Sequence, residues 1–442
     1  MTIPEDVSFI IDTLEKAGFE AYAVGGCVRD TLLSRVPGDW DITTSAKPEE
    51  VKKLFKRTVD TGIAHGTVTV MLKKNGYEVT TYRIDGEYED ARHPKSVEFT
   101  ASLTEDLKRR DFTINAMAYN PRTGIVDEFG GIQDLQDGII RCVGNPTDRF
   151  HEDALRMLRA VRFSAQLGFQ IEEKTKEAIR EMGRGLEKVS RERVQVELTK
   201  LLISPHPENI RLLYELGISG QFFPEFQEMM ETGQNSFFHC FSVGEHTIRV
   251  VQAIRPTPLL RWTALLHDCA KPACRTVDAR TGRDHFIGHA REGAGRAVRI
   301  LRGLKCDNQL IHKTEQLILW HDERFSGGKR DVRRCLGSIG PEMFELLMEV
   351  IHADNAGKNP ELAEHFKEEE ERIRSMYREV IEAGDCYNLK MLAVSGKDLM
   401  EAGVKPGEEM GNLLQEMLQE VLADPALNDR ALLLKKHGLM PN

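Results

Sequence analysis

The stretch VGGCVRDTLLSRVPGDWDITTSA, residues 24–46, determines the expected fold and chemistry more than any other part of the chain. It places Gly25 and Gly26 directly after a short apolar run, followed by two carboxylates, Asp39 and Asp41, with one residue between them. Residues two apart on a β-strand project from the same face, so we expect both carboxylates to enter one pocket. Paired carboxylates suit Mg²⁺, and a glycine turn lets the backbone approach a triphosphate closely. The stretch therefore predicts a two-metal nucleotidyl-transfer site.

Three motifs downstream extend this interpretation: KRRDFTINAMA at residues 108–118, EDALRMLRAVR at residues 152–162 and SRERVQVELTK at residues 190–200. With GG-x-VRD and D-x-D, they resemble the class II tRNA nucleotidyltransferases and their poly(A) polymerase relatives, within the superfamily that includes DNA polymerase beta. The resemblance covers residues 20–225, and the motifs are specific in combination. The last of them resembles the neck helix of that family.

The resemblance implies a role for each motif. Asp39 and Asp41 would be the catalytic residues and would hold Mg²⁺. The residues that would bind the nucleotide are Gly26, Arg29, Arg110, Asp111, Asn115, Asp153, Arg156, Arg159 and Arg162. Within this set, Gly26 and Arg29 would bind the triphosphate, and Asp111 and Asn115 would reach the sugar.

Several of these residues also have a purely structural interpretation. Arg29 and Asp30 could form an ion pair at the start of a helix, and Asp111 could belong to a buried salt bridge. If residues 110–115 are helical, positions 110, 111, 114 and 115 share one side. Glu78, in the strand-like sequence YEVTTYR, is either a third metal-binding carboxylate or an ordinary exposed strand residue.

The motif EDALRMLRAVR, residues 152–162, predicts how the base is selected. Asp153, Arg156, Arg159 and Arg162 follow one another in steps of three, which on one helix gives a slanted stripe. An Asp accepts from an exocyclic amino group, and an Arg donates to ring nitrogens in a planar fork. Such a pair imitates a template for C and A, whereas G and U present the opposite pattern. Arg159 and Arg162 would hold phosphate instead. The alternative is a salt bridge on a solvated helix.

A second set of residues follows in the order H…HD…D and resembles the HD superfamily of metal phosphohydrolases. The expected ligands are His246, His267, Asp268 and Asp354, with His289 and His321 where two-metal members carry further ligands. Imidazole and carboxylate together suit Ni, Mn, Co, Fe, Zn or Mg. Whether this site hydrolyses a substrate or is only structural stays open at this point.

The pattern of the chain predicts an α+β fold: a polymerase-beta-like head with a mixed sheet, followed by an all-α neck, body and tail. Helices are expected at residues 5–18 and 48–55, and strands at residues 21–24, 40–43, 66–72 and 77–82. Strand signals nearly vanish after residue 149. The expected domains are a catalytic head (1–148), a neck for nucleotide selection and RNA binding (149–225), an HD-type helical domain (226–375) and an RNA-binding tail (376–442).

Residues 83–97, RIDGEYEDARHPKSV, are polar and lack apolar periodicity, which predicts a surface loop. In the resembled family a mobile loop needed for addition of the terminal A occupies this position. With Asp90 and Arg92, the segment argues against an enzyme that adds only C.

Composition limits the partners and the compartment. The 442 residues carry a net charge of −10, so contacts with RNA must come from local basic patches. The eight cysteines are scattered without a paired framework, which fits free thiols in a reducing cytoplasm. We expect no membrane segment, because no apolar run approaches the ~20 residues needed to span a bilayer.

The expected function is template-independent addition of C, C and A to the 3′ end of tRNA, with CTP and ATP as substrates. One alternative is an enzyme that adds only the final A. Another is a bacterial poly(A) polymerase, which the tail disfavours because residues 401–442 hold seven acids against four Lys and Arg. An alternative of another class is an HD-type metal phosphohydrolase whose head only binds RNA.

Overall fold

A seven-stranded sheet forms the centre of the first of two compact units, Met1–Gln227 and Glu228–Asn442. The computed structural model describes residues 1–85 and 97–439. The strands up to residue 126 are β1 Ala21–Val24, β2 Ile42–Thr44, β3 Thr58–Gly62, β4 Thr67–Leu72, β5 Asn75–Thr81, β6 Arg83–Asp85, β7 Val97–Phe99, β8 Ala118–Asn120 and β9 Gly124–Val126.

The large sheet has the order β3-β4-β5-β2-β1-β8-β9. β2 pairs with β5 in parallel, and the other neighbours pair antiparallel, so the expected mixed sheet is confirmed. β4 shows the alternation of a strand with one buried face: Val68 and Val70 are fully buried, and Thr67 and Thr69 are only partly buried. The central strand β2 is buried at all three positions.

Helices cover the sheet and continue beyond it. In the first unit they are α1 Glu5–Lys16, α2 Gly26–Leu32, α3 Pro48–Leu54, α4 Leu103–Lys108, α5 Gly131–Asp137, α6 Pro146–Glu152, α7 Leu155–Leu167, α8 Glu173–Met182, α9 Arg191–Leu202 and α10 Arg211–Glu215, with α11 Pro224–Glu231 at the division between the units. Two short strands, β10 Ile139–Ile140 and β11 Gln170–Ile171, pair in parallel beside α7.

The second unit is almost entirely helical, as expected. It contains α12 Val243–Ala253, α13 Pro258–Leu266, α14 Lys271–Cys274, α15 His289–Gly303, α16 Asn308–Trp320, α17 Lys329–Ala356, α18 Ala363–Glu382, α19 Gly396–Glu401, α20 Glu408–Ala423 and α21 Arg430–Lys436. Two strands of two residues each, β12 Thr276–Val277 and β13 Asp284–His285, pair antiparallel. α17 is kinked at Gly340, where φ is 76° and a proline follows.

The polar segment predicted as a loop has structured flanks. β6 and β7 pair antiparallel, so residues 83–85 and 97–99 form strands where no strand was expected. Each of these short strands is defined by its pairing with the other, more than ten residues away, and the local polar sequence does not indicate that pairing. Asp90 and Arg92 lie outside the described residues.

No helix within residues 1–85 and 97–439 is both long and apolar enough to cross a lipid bilayer.

Candidate active site and metal centre

Three carboxylates, those of Asp39, Asp41 and Glu78, meet where β2 begins. Asp39 and Asp41 precede β2, so their placement inside a strand was wrong. The pairing nevertheless extends back to Asp41, whose carbonyl oxygen accepts a hydrogen bond from Val24 N–H at 3.0 Å. The parallel register of β2 with β5 then places Asp41 beside Glu78. The third carboxylate that the sequence offered as one alternative is therefore next to the pair.

The charges of these groups interact strongly. Asp41 is solvent-accessible, but surrounding atoms desolvate its carboxylate, and this effect, with repulsion from Asp39 and Glu78, raises its pKa to about 6. Arg110 opposes the shift, and its own guanidinium is held at 3.3 Å from the buried Asp106 carboxylate. A cluster of oxygen ligands with excess negative charge fits a divalent cation such as Mg²⁺.

The glycine turn needs a glycine at its first position. Gly25 has φ of 79° and ψ of −128°, a conformation that other residues rarely adopt, and its N–H donates to Met117 O at 3.1 Å. A Cβ there would lie 3.0 Å from Arg110 Nη1. α2 then begins at Gly26, so its first main-chain N–H groups face the same region as the carboxylates and Arg110.

Arg29, one turn into α2, is held by two partners. It forms the ion pair with Asp30 that the sequence offered as a structural alternative, at 2.8 Å, and its Nη1 donates to Asn115 Oδ1 at 2.7 Å. Its guanidinium also lies 5.0 Å from the centre of the Phe163 ring. The structure therefore joins Arg29 to Asn115 and to Phe163, which directly follows the motif at residues 152–162, although these residues are far apart in sequence.

Residues 110–112 are not helical, so the expectation of one helix through positions 110–115 was wrong. α4 ends at Lys108, and a 3₁₀ turn begins at Thr113. Phe112 instead forms an isolated antiparallel bridge with Cys142. This long-range pairing overrides the local helical spacing.

Asp111 is the centre of a buried network. Its Oδ2 accepts from Arg159 Nε at 2.7 Å, and its Oδ1 accepts from Asn115 Nδ2 at 3.1 Å. Burial alone would raise its pKa, but Arg159 and Asn115 outweigh burial and hold it well below its usual range. The buried salt bridge considered for Asp111 is present, and it joins two of the sequence motifs.

Asp153 is not on the same helix as the three arginines, so the expected four-residue stripe was wrong. It lies between α6 and α7 in an extended conformation, with φ of −146° and ψ of 103°. Its Oδ1 accepts from Leu155 N–H at 3.1 Å, which satisfies a main-chain donor at the start of α7. Arg193 of α9 binds both of its oxygens, at 3.1 and 2.7 Å.

The three arginines lie on α7 and differ in their main partners. Arg156 Nη1 donates to Glu152 Oε2 at 2.5 Å, and its Nη2 donates to Arg109 O at 2.8 Å. Beyond its contact with Asp111, Arg159 lies 3.9 Å from Glu197. Arg156 therefore links the motif at residues 152–162 to the motif at residues 108–118.

Arg162 lies deepest among the arginines. Its Nε donates to Glu197 Oε2 at 2.7 Å, and its guanidinium stacks 3.5 Å from the centre of the Phe163 ring. Three residues that the sequence did not single out, Phe163, Arg193 and Glu197, thus complete the network. Arg193 and Glu197 are four residues apart in the neck-helix motif, a spacing that places both on one side of α9.

Six side chains converge in the second unit, and each is less than a tenth exposed. They are the expected His246, His267, Asp268, His289, His321 and Asp354. The two sets that could hold an ion are His246, His267 and Asp354, and His267, Asp268 and His321. His267 follows the last residue of α13, so the expected position at a helix end is also found.

Asp268 lies between two pairs of histidines. Its Oδ2 is 3.1 Å from His267 Nε2 and 3.5 Å from His246 Nε2. Its Oδ1 is 3.4 Å from His289 Nε2 and 3.7 Å from His321 Nε2. One carboxylate thus faces both pairs, a geometry that suits two cations sharing a ligand.

The orientation of the four imidazoles favours metal binding. Each ring contacts a main-chain carbonyl through Nδ1, at 2.6 to 3.0 Å. A carbonyl only accepts, so Nδ1 must donate, which leaves Nε2 as the ligand atom. Burial disfavours a charged imidazole, but Asp268 and Asp354 outweigh it and raise the pKa of His267 to about 10. The same two carboxylates that stabilise a charged imidazole would stabilise a bound cation.

A cavity of about 390 Å³ opens onto this cluster. Two lysines flank it: Lys271 Nζ is 2.7 Å from Asp268 Oδ2, and Lys358 Nζ is 2.7 Å from Asp354 Oδ2. Phe238 and Phe286 form part of its apolar wall. The cavity thus combines a candidate metal site, positive charge and aromatic surface.

Comparison with known proteins agrees with the fold and the motifs. Family models described as the poly(A) polymerase head domain, a probable RNA- and SrmB-binding site of polymerase A, and a putative second domain of tRNA nucleotidyltransferase match residues 21–141, 168–230 and 293–436. These matches place the chain in the class of poly(A) polymerase-like nucleotidyltransferases.

Individual proteins similar to the chain over almost its whole length identify its family within this class. The CCA-adding enzymes of Ligilactobacillus salivarius and Enterococcus faecalis are each 36 % identical to the chain, over 98 % of it and 96 % of their own length. The solved structure of the Bacillus stearothermophilus CCA-adding enzyme in complex with CTP is 31 % identical, with a TM-score of 0.72 over 99 % of this chain and 98 % of its own. The chain therefore belongs to the family of CCA-adding enzymes.

Proposed function

We propose that the chain adds C, C and A in turn to the 3′ end of tRNA, using CTP and ATP and no nucleic acid template. The observation that carries the proposal is the carboxylate cluster of Asp39, Asp41 and Glu78 beside the Gly25 turn and Arg110. This arrangement supplies metal ligands and triphosphate donors at one place, as phosphoryl transfer requires. The family membership of the chain supports the same conclusion.

Asp39 and Asp41, with Glu78 beside them, would hold divalent ions, for which we propose Mg²⁺. Bound there, such ions activate the attacking 3′ hydroxyl and neutralise charge on the triphosphate. The N–H of Gly26 and the guanidinium groups of Arg29 and Arg110 would bind the triphosphate. Positive charge opposite the carboxylates positions the phosphate to be attacked.

The remaining residues would select the nucleotide. Asp111 and Asn115, which are hydrogen-bonded to each other, would face the sugar. Asp153 would accept from the exocyclic amino group of C or A, and Arg156 would donate to the adjacent ring nitrogen. Arg159 and Arg162 are engaged with Asp111 and Glu197, so we assign them to support of the site and contact with phosphate.

Replacement of Asp41 tests the metal-binding role. Asp41→Asn should abolish nucleotide addition to a tRNA lacking its terminal residues, while gel-shift binding of that tRNA stays near wild type. Asp60→Asn is a suitable control, because Asp60 is exposed and forms a surface ion pair with Lys52. Addition at the wild-type rate by the Asp41 variant would refute the assignment.

We propose in addition that the second unit is a metal-dependent phosphohydrolase. The convergence of four imidazole Nε2 atoms on two carboxylates supports this activity, as does the adjoining cavity with Lys271 and Lys358. Metal-bound water generates a nucleophile for phosphoester hydrolysis. Ni²⁺, Mn²⁺, Co²⁺, Fe²⁺ and Zn²⁺ are the ions that such ligands favour.

The protein should then hydrolyse a 2′,3′-cyclic nucleotide when supplied with Ni²⁺, Mn²⁺ or Co²⁺. A double variant, His267→Ala with Asp268→Ala, should lose both the hydrolysis and the bound metal, measured by elemental analysis. His312→Ala, on the exposed side of α16, is the control. A wild-type protein that binds none of these ions would refute the proposal.

We also propose a cytoplasmic location. All eight cysteines are free thiols, and five of them are buried, which fits a reducing compartment.

A further inference from the structure

We propose that Arg193 is a positioning residue that fixes the Asp153 carboxylate in the orientation needed to read the incoming base. The inference rests on the base-reading role proposed above for Asp153. It concerns a residue of α9 that lies 40 positions further along the chain than Asp153.

The contact is two-pronged and specific to an arginine. Arg193 Nη1 lies 3.1 Å from Asp153 Oδ1, and Nη2 lies 2.7 Å from Oδ2. Both side chains are mostly buried, at 23 % and 17 % exposure. A planar fork that binds both oxygens defines the plane of the carboxylate, whereas an ammonium group would hold it only as a point charge.

Apart from Arg193, Asp153 is bound by Leu155 N–H, a contact from only two residues away that holds one of its two oxygens. Asp153 has an extended main-chain conformation and interrupts the helical path between α6 and α7. α9 is firmly anchored by contrast, because Val194 and Leu198 are fully buried against the core. Arg193 therefore transfers the rigidity of α9 to a carboxylate that stands at a break between two helices.

The contacts leave room for a base. An ionised carboxylate accepts at about four lone-pair sites. Arg193 uses two of them, and Leu155 N–H, at 3.1 Å from Oδ1, uses a third. One acceptor site then remains, with its direction fixed, for the amino group of C or A. A carbonyl oxygen of U or G at the same place would be repelled.

The test is the ratio of CTP to UTP incorporation into a tRNA lacking its terminal residues, measured for single and double variants. Arg193→Lys keeps the charge but loses the fork, and should lower the ratio about tenfold, within the range expected for one specific base contact. Arg191→Lys is the control, because Arg191 lies in the same turn of α9 and donates to Gln221 O instead. Asp153→Ala should lower the ratio at least as far.

The double variant separates positioning from a general loss of structure. If Arg193 acts through Asp153, Arg193→Lys has no further effect on the ratio in an Asp153→Ala background. The inference alone is overturned if Asp153→Ala lowers the ratio but Arg193→Lys leaves it at the wild-type value, or if the two effects add in full. If Asp153→Ala leaves the ratio unchanged, the base-reading role fails, and the inference fails with it.

Discussion

Replacing Glu197 with alanine should destabilise the N-terminal unit by about 3–5 kcal/mol, because it leaves a buried guanidinium without its counter-charge. Glu197 Oε2 and Arg162 Nε are 2.7 Å apart, and the side chains are only 6 % and 7 % exposed. Arg162 also stacks on the Phe163 ring, so it cannot turn toward water without disrupting α7. Arg159, which is a third exposed and 3.9 Å away, should contribute little.

Two measurements give the size and the location of this loss. For a unit of this size, about 3–5 kcal/mol corresponds to a fall in melting temperature of about 6–20 °C, read by calorimetry. Hydrogen exchange should also accelerate in peptides from α7 and α9, by about a hundredfold to several thousandfold where exchange requires opening of the unit. Glu197→Gln keeps an acceptor for Arg162 and should lose only about 1–3 kcal/mol.

Glu192→Ala is the matched control, because Glu192 lies on the exposed side of the same helix. It should change the stability by no more than about 0.5 kcal/mol. The reasoning is refuted if Glu197→Ala costs less than about 1 kcal/mol, or if the change in exchange lies in the second unit.

Gly25→Ala should raise the KM for CTP and lower stability by more than about 1 kcal/mol, because it puts a side chain at φ of 79° and within 3.0 Å of a guanidinium nitrogen. Gly38→Ala, which meets open space, should do neither; equal nucleotide kinetics in the two variants would contradict this. Arg333→Met should destabilise the second unit by about 3–5 kcal/mol, since Arg333 is buried and donates to Asp385 at 2.7 Å and to two main-chain carbonyls. Arg334 is half exposed, so Arg334→Met should leave the free energy of unfolding, measured by urea denaturation, almost unchanged. An equally small loss of stability in the Arg333 and Arg334 variants would count against this expectation.

Local sequence predicted the fold class because its signals were strong and consistent. The apolar face of α1 and the alternating valines of β4 required a helix and a half-buried strand, and the structure contains both. The short strands β3, β8 and β9 were not expected. β3 and β9 form the two edges of the sheet and contain no fully buried residue, so they lack an apolar signal. β8 is three residues long, and its pairing with β1 joins parts of the chain about a hundred residues apart.

Two errors in the candidate site have different causes. The steps of three from Asp153 to Arg162 continue across a helix break, and periodicity alone does not show that a break is there. The break has a local signal, because Asp is a favourable cap and its carboxylate accepts from Leu155 N–H. At Asp111, by contrast, the pairing of Phe112 with Cys142 is non-local, and no pattern near residue 111 indicates it.

The candidate metal ligands of the second unit were easier to predict than their arrangement. His246 and Asp354 are separated by more than a hundred residues, yet the order H…HD…D was enough to expect them together. The sequence did not indicate that Asp268 would face two pairs of histidines. It also did not indicate which arginine would pair with Asp153, because Arg191 and Arg193 lie in the same turn of α9.

The central claim is that one site selects C and then A and joins them to tRNA. The most direct test supplies the wild-type protein with a tRNA that lacks all three terminal residues, first with CTP alone and then with CTP and ATP. We predict addition of two C residues in the first reaction and of C, C and A, with no further extension, in the second. No incorporation of C, with A added only to a tRNA that already ends in CC, or a long run of A in the second reaction, would contradict the account.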